Sequence, residues 1–292
     1  MLAVFQASSA TLKDLAGGLK MLDSEKPIDP KDEKKLKTRG IGSGHDYEPF
    51  IKVHELSSTG ESYRIRGRNT TRVHHLLSRI EYSAFLVFDR YHLTYDIKEQ
   101  FPLSIVDTLN ICSRLGIKHP QIRNKLKVVT TDLVVELRDK RSIAIAVKHA
   151  SDLDNVRTVE KLQIEKLYWE ELGYNWKLFT DKDIPAIVKE NLEWLHAANR
   201  NSHDLYEELS LEDISIVISR LSDSDKKLAT VCAAMDDQYE CTAGFHIGVI
   251  RSAAAANLID VPLDIVFRNW RAKDVTITDD LNSIKAGLPD VS

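Results

Sequence analysis

The sequence of 292 residues predicts an α/β core with a mixed sheet flanked by helices, followed by a mostly helical C-terminal domain. Three patterns favour this fold. Apolar residues alternate along two adjacent runs, TTDLVVEL and SIAIAVK, as in the strands of a hairpin. Helical and strand patterns alternate on either side of this hairpin, which is typical of α/β folds. Beyond residue 180 the apolar residues recur mostly with helical spacing, which suits three helices with a terminal strand pair, as in a winged-helix domain.

The first segment, residues 1–45, contains KPIDPKDEKKLKTRGIGSGH, which is rich in charge, proline and glycine and predicts a flexible, basic arm. The next run, SYRIRGR, places Arg64, Arg66 and Arg68 on one face of a short strand, with Arg72 at the start of a helix. These four arginines are candidate contacts to a DNA backbone. Solvated charges on an edge strand explain the same pattern about as well.

The predicted helix follows over VHHLLSRIEYSAFLVFDRY, where Glu81 lies on the apolar stripe of Val73, Leu77, Ala84 and Phe88. Its carboxylate therefore points inward, which costs about 2–7 kcal/mol unless a partner is present. After this helix we expect a strand over YDIKEQF, a helix over IVDTLNICSRLG, and a polar loop over IKHPQIRNK.

In the two strands of the hairpin, the odd positions 133, 135, 137, 143, 145 and 147 are apolar, whereas Asp132, Ala146 and Lys148 share the other face, which we expect to lie away from the core. Asp132 and Lys148 face each other only if an odd number of residues closes the turn. The prediction is a three-residue turn, Asp139-Lys140-Arg141, centred on Lys140. A helix over NVRTVEKLQIEKLYWEELG and a strand over YNWKLFT complete the predicted domain, residues 46–180.

The grouping of Glu81, Asp132 and Lys148 points to a metal-dependent phosphodiesterase, since a divalent cation shared by the carboxylates would be the partner that Glu81 needs. Oxygen ligands suit Mg²⁺, with Mn²⁺ as a substitute, rather than zinc. Taken singly, a helical Glu is usually solvated and a strand Asp usually pairs with Arg. Cys112, Cys232 and Cys241 lack the spacing of a zinc site and are interpreted as packing residues.

The charge is divided unevenly along the chain. Residues 1–180 carry 29 Lys and Arg against 24 Asp and Glu, whereas residues 181–292 carry 11 against 20, giving +5 and −9. Phosphate contacts dominate DNA affinity, so the first part is the expected DNA-handling part and the acidic second part is expected to bind protein. The sequence shows neither a membrane-length apolar run nor a basic leader, so a cytoplasmic, DNA-associated protein is expected.

Several landmarks in one order resemble the TnsA endonucleases, subunits of the heteromeric transposases of seven-class Tn elements. They are RVHHLLSRIE, DIKEQFPL, GIKHP, TDLVV, AIAVK, VEKLQIEKLYW and LFTDKDI, and the resemblance covers most of residues 46–193. It implies a restriction-endonuclease-like core that cuts bacterial DNA at the 5′ strands of transposon ends. It also implies two partners: a DDE-type transposase, TnsB, which cuts the 3′ strands, and an AAA+ ATPase, TnsC, which contacts the C-terminal region.

On this resemblance Glu81 and Asp132 are the metal ligands and Lys148 is the catalytic lysine. Glu165 matches an acidic family position, although a solvated helix face explains it equally well. Ala146 departs from the family, which has Gln before Val-Lys. Either the site works with fewer side-chain ligands, a water and a main-chain carbonyl filling in, or the chain is silenced.

Two rival functions therefore stay open. A silenced, architectural subunit would hold transposon ends and recruit the ATPase. A stand-alone repair or restriction nuclease would leave the acidic C-terminal region, residues 181–292, unexplained.

Overall fold

The computed structural model describes residues 26–55, 60–70, 72–205, 211–221 and 224–278. By their internal contacts these residues divide into two compact units. The first comprises the described residues through Ile65, together with Asn69–Phe85 and Leu93–Asp181. The second begins at Lys182 and also takes in Arg66–Arg68 and Leu86–His92, two short segments that the predicted range 46–180 had placed in the first.

Up to residue 180 the helices and strands follow in the order α1 Pro30–Leu36, β1 Tyr63–Arg66, β2 Val73–Leu76, α2 Arg79–Arg90, β3 Thr94–Pro102, α3 Ile105–Leu115, β4 Gln121–Ile122, β5 Lys125–Leu126, β6 Thr130–Leu137, β7 Ser142–Lys148, α4 Val156–Glu171 and β8 Asn175–Thr180. The main sheet has the order β3-β6-β7-β8. Its first two pairings are antiparallel and the last is parallel, with α4 as the crossover, which confirms the mixed sheet.

The turn of the β6–β7 hairpin has the predicted odd number of residues, but it is centred on a different residue. Leu133 pairs with Ile145 and Glu136 with Ser142, so the three turn residues are 138–140 and Asp132 lies opposite position 146. The prediction of a turn centred on Lys140 is therefore wrong by one residue. Lys140 takes the left-handed conformation, with φ of 69°, which closes a three-residue turn. Lys148 is consequently a diagonal neighbour of Asp132 on the same face.

Both faces of the hairpin are covered, contrary to the expectation of one core face. On the odd face Leu133 and Ile145 are fully buried. On the even face, Val134 and Ala144 pack with Trp169 of α4 in a second apolar cluster. The site residues therefore lie at the edge of a buried layer rather than on an open surface.

The predicted helix around Glu81 begins six residues later than expected. Residues 73–76 form β2, and α2 begins at Arg79. Ser78 and Glu81 form a reciprocal cap: the Ser78 hydroxyl accepts the Glu81 N–H at 3.1 Å, and the Glu81 carboxylate accepts the Ser78 hydroxyl at 3.0 Å and the Leu77 N–H at 2.9 Å. This cap, rather than a helical stripe from Val73, aims Glu81 inward.

Residues 26–45 fold onto the first unit instead of forming the expected flexible arm, whereas residues 1–25 lie outside the described residues. Asp29 caps α1, and Ile28 bridges to Leu126. The Asp32 carboxylate is buried and accepts the Lys127 ammonium at 2.6 Å and the Val128 N–H at 3.1 Å.

The second unit is mostly helical. Its elements are α5 Ala186–Leu205, α6 Leu211–Arg220, α7 Leu228–Gln238, α8 Phe245–Ala255, β9 Ile259–Asp260 and β10 Thr276–Ile277. The core of this unit includes Ile214, Leu228, Ile250 and Trp270, and β9 pairs with β10. The winged-helix assignment stays a prediction. None of the helices within the described ranges has the length and hydropathy required to cross a membrane.

Candidate active site

Glu81, Asp132 and Lys148 converge in the first unit, on α2, β6 and the end of β7. The Lys148 ammonium donates to Asp132 Oδ2 at 3.0 Å. The same Asp132 oxygen accepts the Val147 N–H at 2.7 Å. Gln100 Nε2 joins the two carboxylates, at 3.3 Å from Glu81 Oε2 and 3.4 Å from Asp132 Oδ1. One helix and the two strands of the hairpin thus place two carboxylates and one ammonium in one cluster.

The surroundings of Glu81 raise the pKa of its carboxyl group toward neutral pH. Burial, and then the negative charge of Asp132, raise the pKa of Glu81 from 4.5 to about 7, although the hydrogen bonds from Leu77 and Ser78 oppose the rise. A carboxylate of this kind gains from any added positive charge.

Lys148 is held as an ammonium. Burial by itself would lower its pKa, but the carboxylates of Asp132, Glu165 and Glu81 outweigh burial and the pKa is raised. Its side chain is 34% exposed, so the charge is accessible at the edge of the cluster. A protonated Lys148 can neutralise a phosphate, whereas it cannot take a proton as a general base.

Glu165, on the inner face of α4, is buried rather than solvated, which excludes the alternative of an exposed helix face. Its Oε1 atom has no hydrogen-bond partner. Burial first, and then the charge of Asp132, raise the pKa of Glu165 to about 8, with Lys148 opposing. The side chain is therefore mostly neutral at pH 7 and adds little charge to the cluster.

Gln100, on β3, is a site residue that sequence reasoning missed, although it stands inside the DIKEQFPL landmark. Two signals were available in principle: its strand was predicted, and that strand was expected to join the sheet. The register places Gln100 opposite Asp132, between the pairs Glu99–Leu133 and Phe101–Thr131. Ala146 flanks Asp132 on the opposite side, in β7, and is fully buried.

The four arginines predicted to contact DNA differ in their exposure. Arg64 and Arg66 are exposed on β1, and Arg68 is half-buried, its guanidinium donating to the Ala255 carbonyl. Arg72 is buried and forms an ion pair with Glu99 at 2.7 Å. The prediction that Arg72 contacts DNA is therefore wrong, because its charge is already neutralised inside the fold.

The donor set fits a divalent cation held by Glu81 and Asp132. Both supply hard oxygen atoms, and the burial and the repulsion by Asp132 that raise the pKa of Glu81 are costs that a bound cation would offset. Within the described ranges, no group of three or more His, Cys, Asp and Glu side chains is arranged to hold a metal ion. Main-chain or water oxygens are thus required to complete such a site.

Replacing Glu81 with Gln is expected to raise the melting temperature in cation-free buffer at pH 8. Because the pKa of Glu81 is raised from 4.5 to about 7, its stabilising contribution is present below pH 4.5 and lost as the pH rises through 7. The neutral amide avoids this loss but gives up one hydrogen-bond acceptor, leaving a net gain of about 2 kcal/mol, roughly 4–8 °C. Thermal melts across pH 4.5–8 check the prediction.

Mg²⁺ is expected to raise the melting temperature of the unchanged protein and to have little effect on Glu81→Gln. Glu171→Gln, at an exposed position on α4, is the matched control. It should change neither the melting temperature nor its increase with Mg²⁺. A melting temperature for Glu81→Gln below that of the unchanged protein at pH 8 would show that the capping hydrogen bonds of Glu81 outweigh the cost of its burial and of its repulsion by Asp132.

Comparison with known proteins places this chain in a family. Residues 93–181 match the family model described as TnsA-like endonuclease N terminal, and residues 183–263 match the one described as TnsA endonuclease C terminal. The chain is 38% identical over 247 residues to the Transposon Tn7 transposition protein TnsA of Escherichia coli, covering 84% of this chain and 89% of that protein. The chain therefore belongs to the TnsA family of transposition endonucleases.

Proposed function

We propose that this protein is the metal-dependent DNA endonuclease subunit of a cut-and-paste transposase and cleaves the 5′ strands at transposon ends. The observation that carries the proposal is the convergence of Asp132 and Lys148 at 3.0 Å, beside the buried Glu81. Metal-assisted phosphodiester hydrolysis uses a cation site and an accessible positive charge, and this cluster has the residues for both.

Each side chain has a distinct task in this proposal. Glu81 and Asp132 would hold Mg²⁺, which supplies charge stabilisation for the phosphate and lowers the pKa of a water when bound. The Lys148 ammonium binds a non-bridging phosphate oxygen and balances the negative charge that develops during cleavage. The main-chain N–H of Val147 fixes the second oxygen of Asp132, which keeps this carboxylate oriented while DNA binds.

The proposed partners follow from family membership and charge. Transposon-end DNA would contact the first unit, where Arg64 is exposed on β1. Residues 181–292 carry a net charge of −9, which repels a duplex and favours a protein partner. We infer that this winged-helix-like part binds the AAA+ ATPase, and that a DDE-type transposase cuts the other strands.

The second candidate function is a silenced, architectural subunit, and Ala146 is the observation that favours it. This residue lies opposite Asp132, and its methyl side chain has no atom that could bind a metal ion. The intact cluster of Glu81, Asp132 and Lys148 favours the active enzyme instead.

A nicking assay tests the proposal. Duplex DNA containing a transposon end is incubated with this protein, the cognate DDE transposase and Mn²⁺, and strand breaks are mapped. We expect breaks at the 5′ strand of the end that depend on this protein and on the cation.

The variant Ala146→Gln separates the two candidates. If the unchanged protein binds the end without cutting it and Ala146→Gln cuts, the chain is a silenced nuclease. If both bind DNA and neither cuts it, the architectural function replaces the proposed one. Cleavage by the unchanged protein supports the nuclease, and Ala146→Gln then shows how much the absent amide contributes, about tenfold if it acts as an outer ligand does.

A further inference from the structure

Gln100 has a backbone conformation that an ordinary strand residue avoids. Its φ is +50°, in the left-handed region, although both neighbours pair regularly with β6. For a residue with a Cβ atom this conformation costs about 1 kcal/mol or more and persists only where the surroundings impose it. Such strain within a strand, directly opposite Asp132, points to a role for the residue at this position.

The surroundings hold the strained backbone from both sides. The Tyr47 hydroxyl donates to the Glu99 carbonyl at 2.9 Å, and the Phe50 N–H donates to the Gln100 carbonyl at 3.2 Å. The preceding side chain, Glu99, is fully buried and paired with Arg72. Two contacts from outside the main sheet thus fix the two peptide groups that flank Gln100, and a third fixes the side chain that precedes it.

The side chain is fixed as firmly as the backbone. Gln100 is 2% exposed, and its Oε1 atom accepts the Thr130 hydroxyl at 3.1 Å, which sets the orientation of the amide. The two donors of the amide nitrogen then face Glu81 and Asp132. One neutral group therefore bridges two carboxylates that repel each other and that belong to different elements.

We propose that Gln100 is a positioning residue that sets the spacing of Glu81 and Asp132 for a divalent cation. The amide lies between the carboxylates without adding charge, so the two oxygens that it contacts are held apart. The other two oxygens are held from outside the pair, Glu81 Oε1 by the Ser78 hydroxyl and Asp132 Oδ2 by Val147 and Lys148. This role deepens the proposed nuclease function and rests on it for the reaction, whereas the effect on cation binding stands independently.

The test uses Gln100→Met, which keeps the length and volume of the side chain and removes both donors. With the full-length protein, the Mn²⁺ concentration for half-maximal cleavage should rise about tenfold or more and kcat should fall about 10- to 100-fold, with DNA affinity unchanged. Gln121→Met makes the same replacement at a half-buried amide on β4 and should leave the cation requirement as it is.

A melting experiment separates failure of this inference from failure of the nuclease proposal. The Mn²⁺ concentration that raises the melting temperature should shift upward in Gln100→Met, whether or not the unchanged protein cuts DNA. An unshifted Mn²⁺ dependence, in melting or in cleavage, would overturn the positioning role and leave Gln100 as a packing residue.

A second pair of variants tests the strain. At a regular strand position Ala is more stable than Gly, but at φ of +50° Gln100→Gly should melt a few degrees above Gln100→Ala. Lys140→Gly and Lys140→Ala, at the left-handed turn position, should show the same order with no change in cation dependence. If Gln100→Ala proves the more stable of its pair, the backbone is not strained and the argument from conformation is lost.

Discussion

Replacing Lys148 with Met is expected to reduce strand cleavage by roughly a thousandfold while leaving DNA binding nearly unchanged. The ammonium is the accessible positive charge of the cluster, and its raised pKa keeps it charged at neutral pH. Removing one preorganised charge that balances a transition state commonly lowers kcat by about 100- to 1000-fold. Single-turnover nicking with the cognate transposase and Mn²⁺, beside a binding assay, measures both quantities.

The matched control is Lys177→Met, because Lys177 is exposed on the adjacent parallel strand, where it pairs with Ile145 and therefore belongs to the opposite face of the sheet. Its cleavage rate should stay within about twofold of the unchanged protein, as for most surface substitutions. Lys148→Arg keeps the charge in a different shape and should retain more activity than Lys148→Met. Equal cleavage by Lys148→Met and the unchanged protein would remove Lys148 from the mechanism.

Replacing Glu99 with Gln is expected to destabilise the protein by about 3 kcal/mol, which corresponds to a fall in melting temperature of roughly 10 °C. Glu99 is fully buried and accepts bonds from Arg72, from His74 Nδ1 at 2.9 Å and from the His75 N–H at 3.0 Å. The amide of Gln would turn a donor toward these donors and leave the buried guanidinium poorly compensated. Urea unfolding at pH 7 gives the free energy directly.

The difference between Glu99→Gln and the unchanged protein should shrink in acid. Burial would raise the pKa of Glu99, but His74 and Arg72 outweigh it and lower the pKa from 4.5 to about 2. The contribution of this carboxylate is therefore present above pH 4.5 and lost as the pH falls toward 2.

The control for Glu99→Gln is Glu48→Gln, at a 54% exposed carboxylate paired with Lys52, which should change stability by less than about 1 kcal/mol. If both substitutions have the same small effect, the Arg72 network is not a main source of stability.

Sequence patterns identified the elements that depend on local period and missed the features that depend on distant partners. The odd number of residues in the hairpin turn was predictable because side chains alternate with a period of two in any register, and it placed Asp132 and Lys148 on one face. The centre of the turn was not predictable, because Lys140 is an unusual residue for a left-handed position.

The start of α2 was misplaced for a different reason. The residues of VHHLL fit a helical and a strand period equally, and the decisive signal was the capping pair Ser78 and Glu81. Arg72 was assigned to the surface because nothing near it in sequence shows the buried partner Glu99, 27 residues away. The burial of Glu165 was equally hidden, since acidic and basic residues alternate along α4.

The attachment of residues 26–45 to the first unit decides where the nuclease part can be cut for separate expression. A fragment beginning at residue 46, the expected domain boundary, would lose the Ile28 and Leu36 side chains that cover the cluster of Phe50, Ile105, Leu109, Leu126 and Val128. The uncovered apolar surface would favour aggregation, and the backbone groups of Leu126 that bond to Pro27 and Asp29 would be left without partners. A shortened nuclease that is to stay folded must therefore retain α1 and the residues immediately before it.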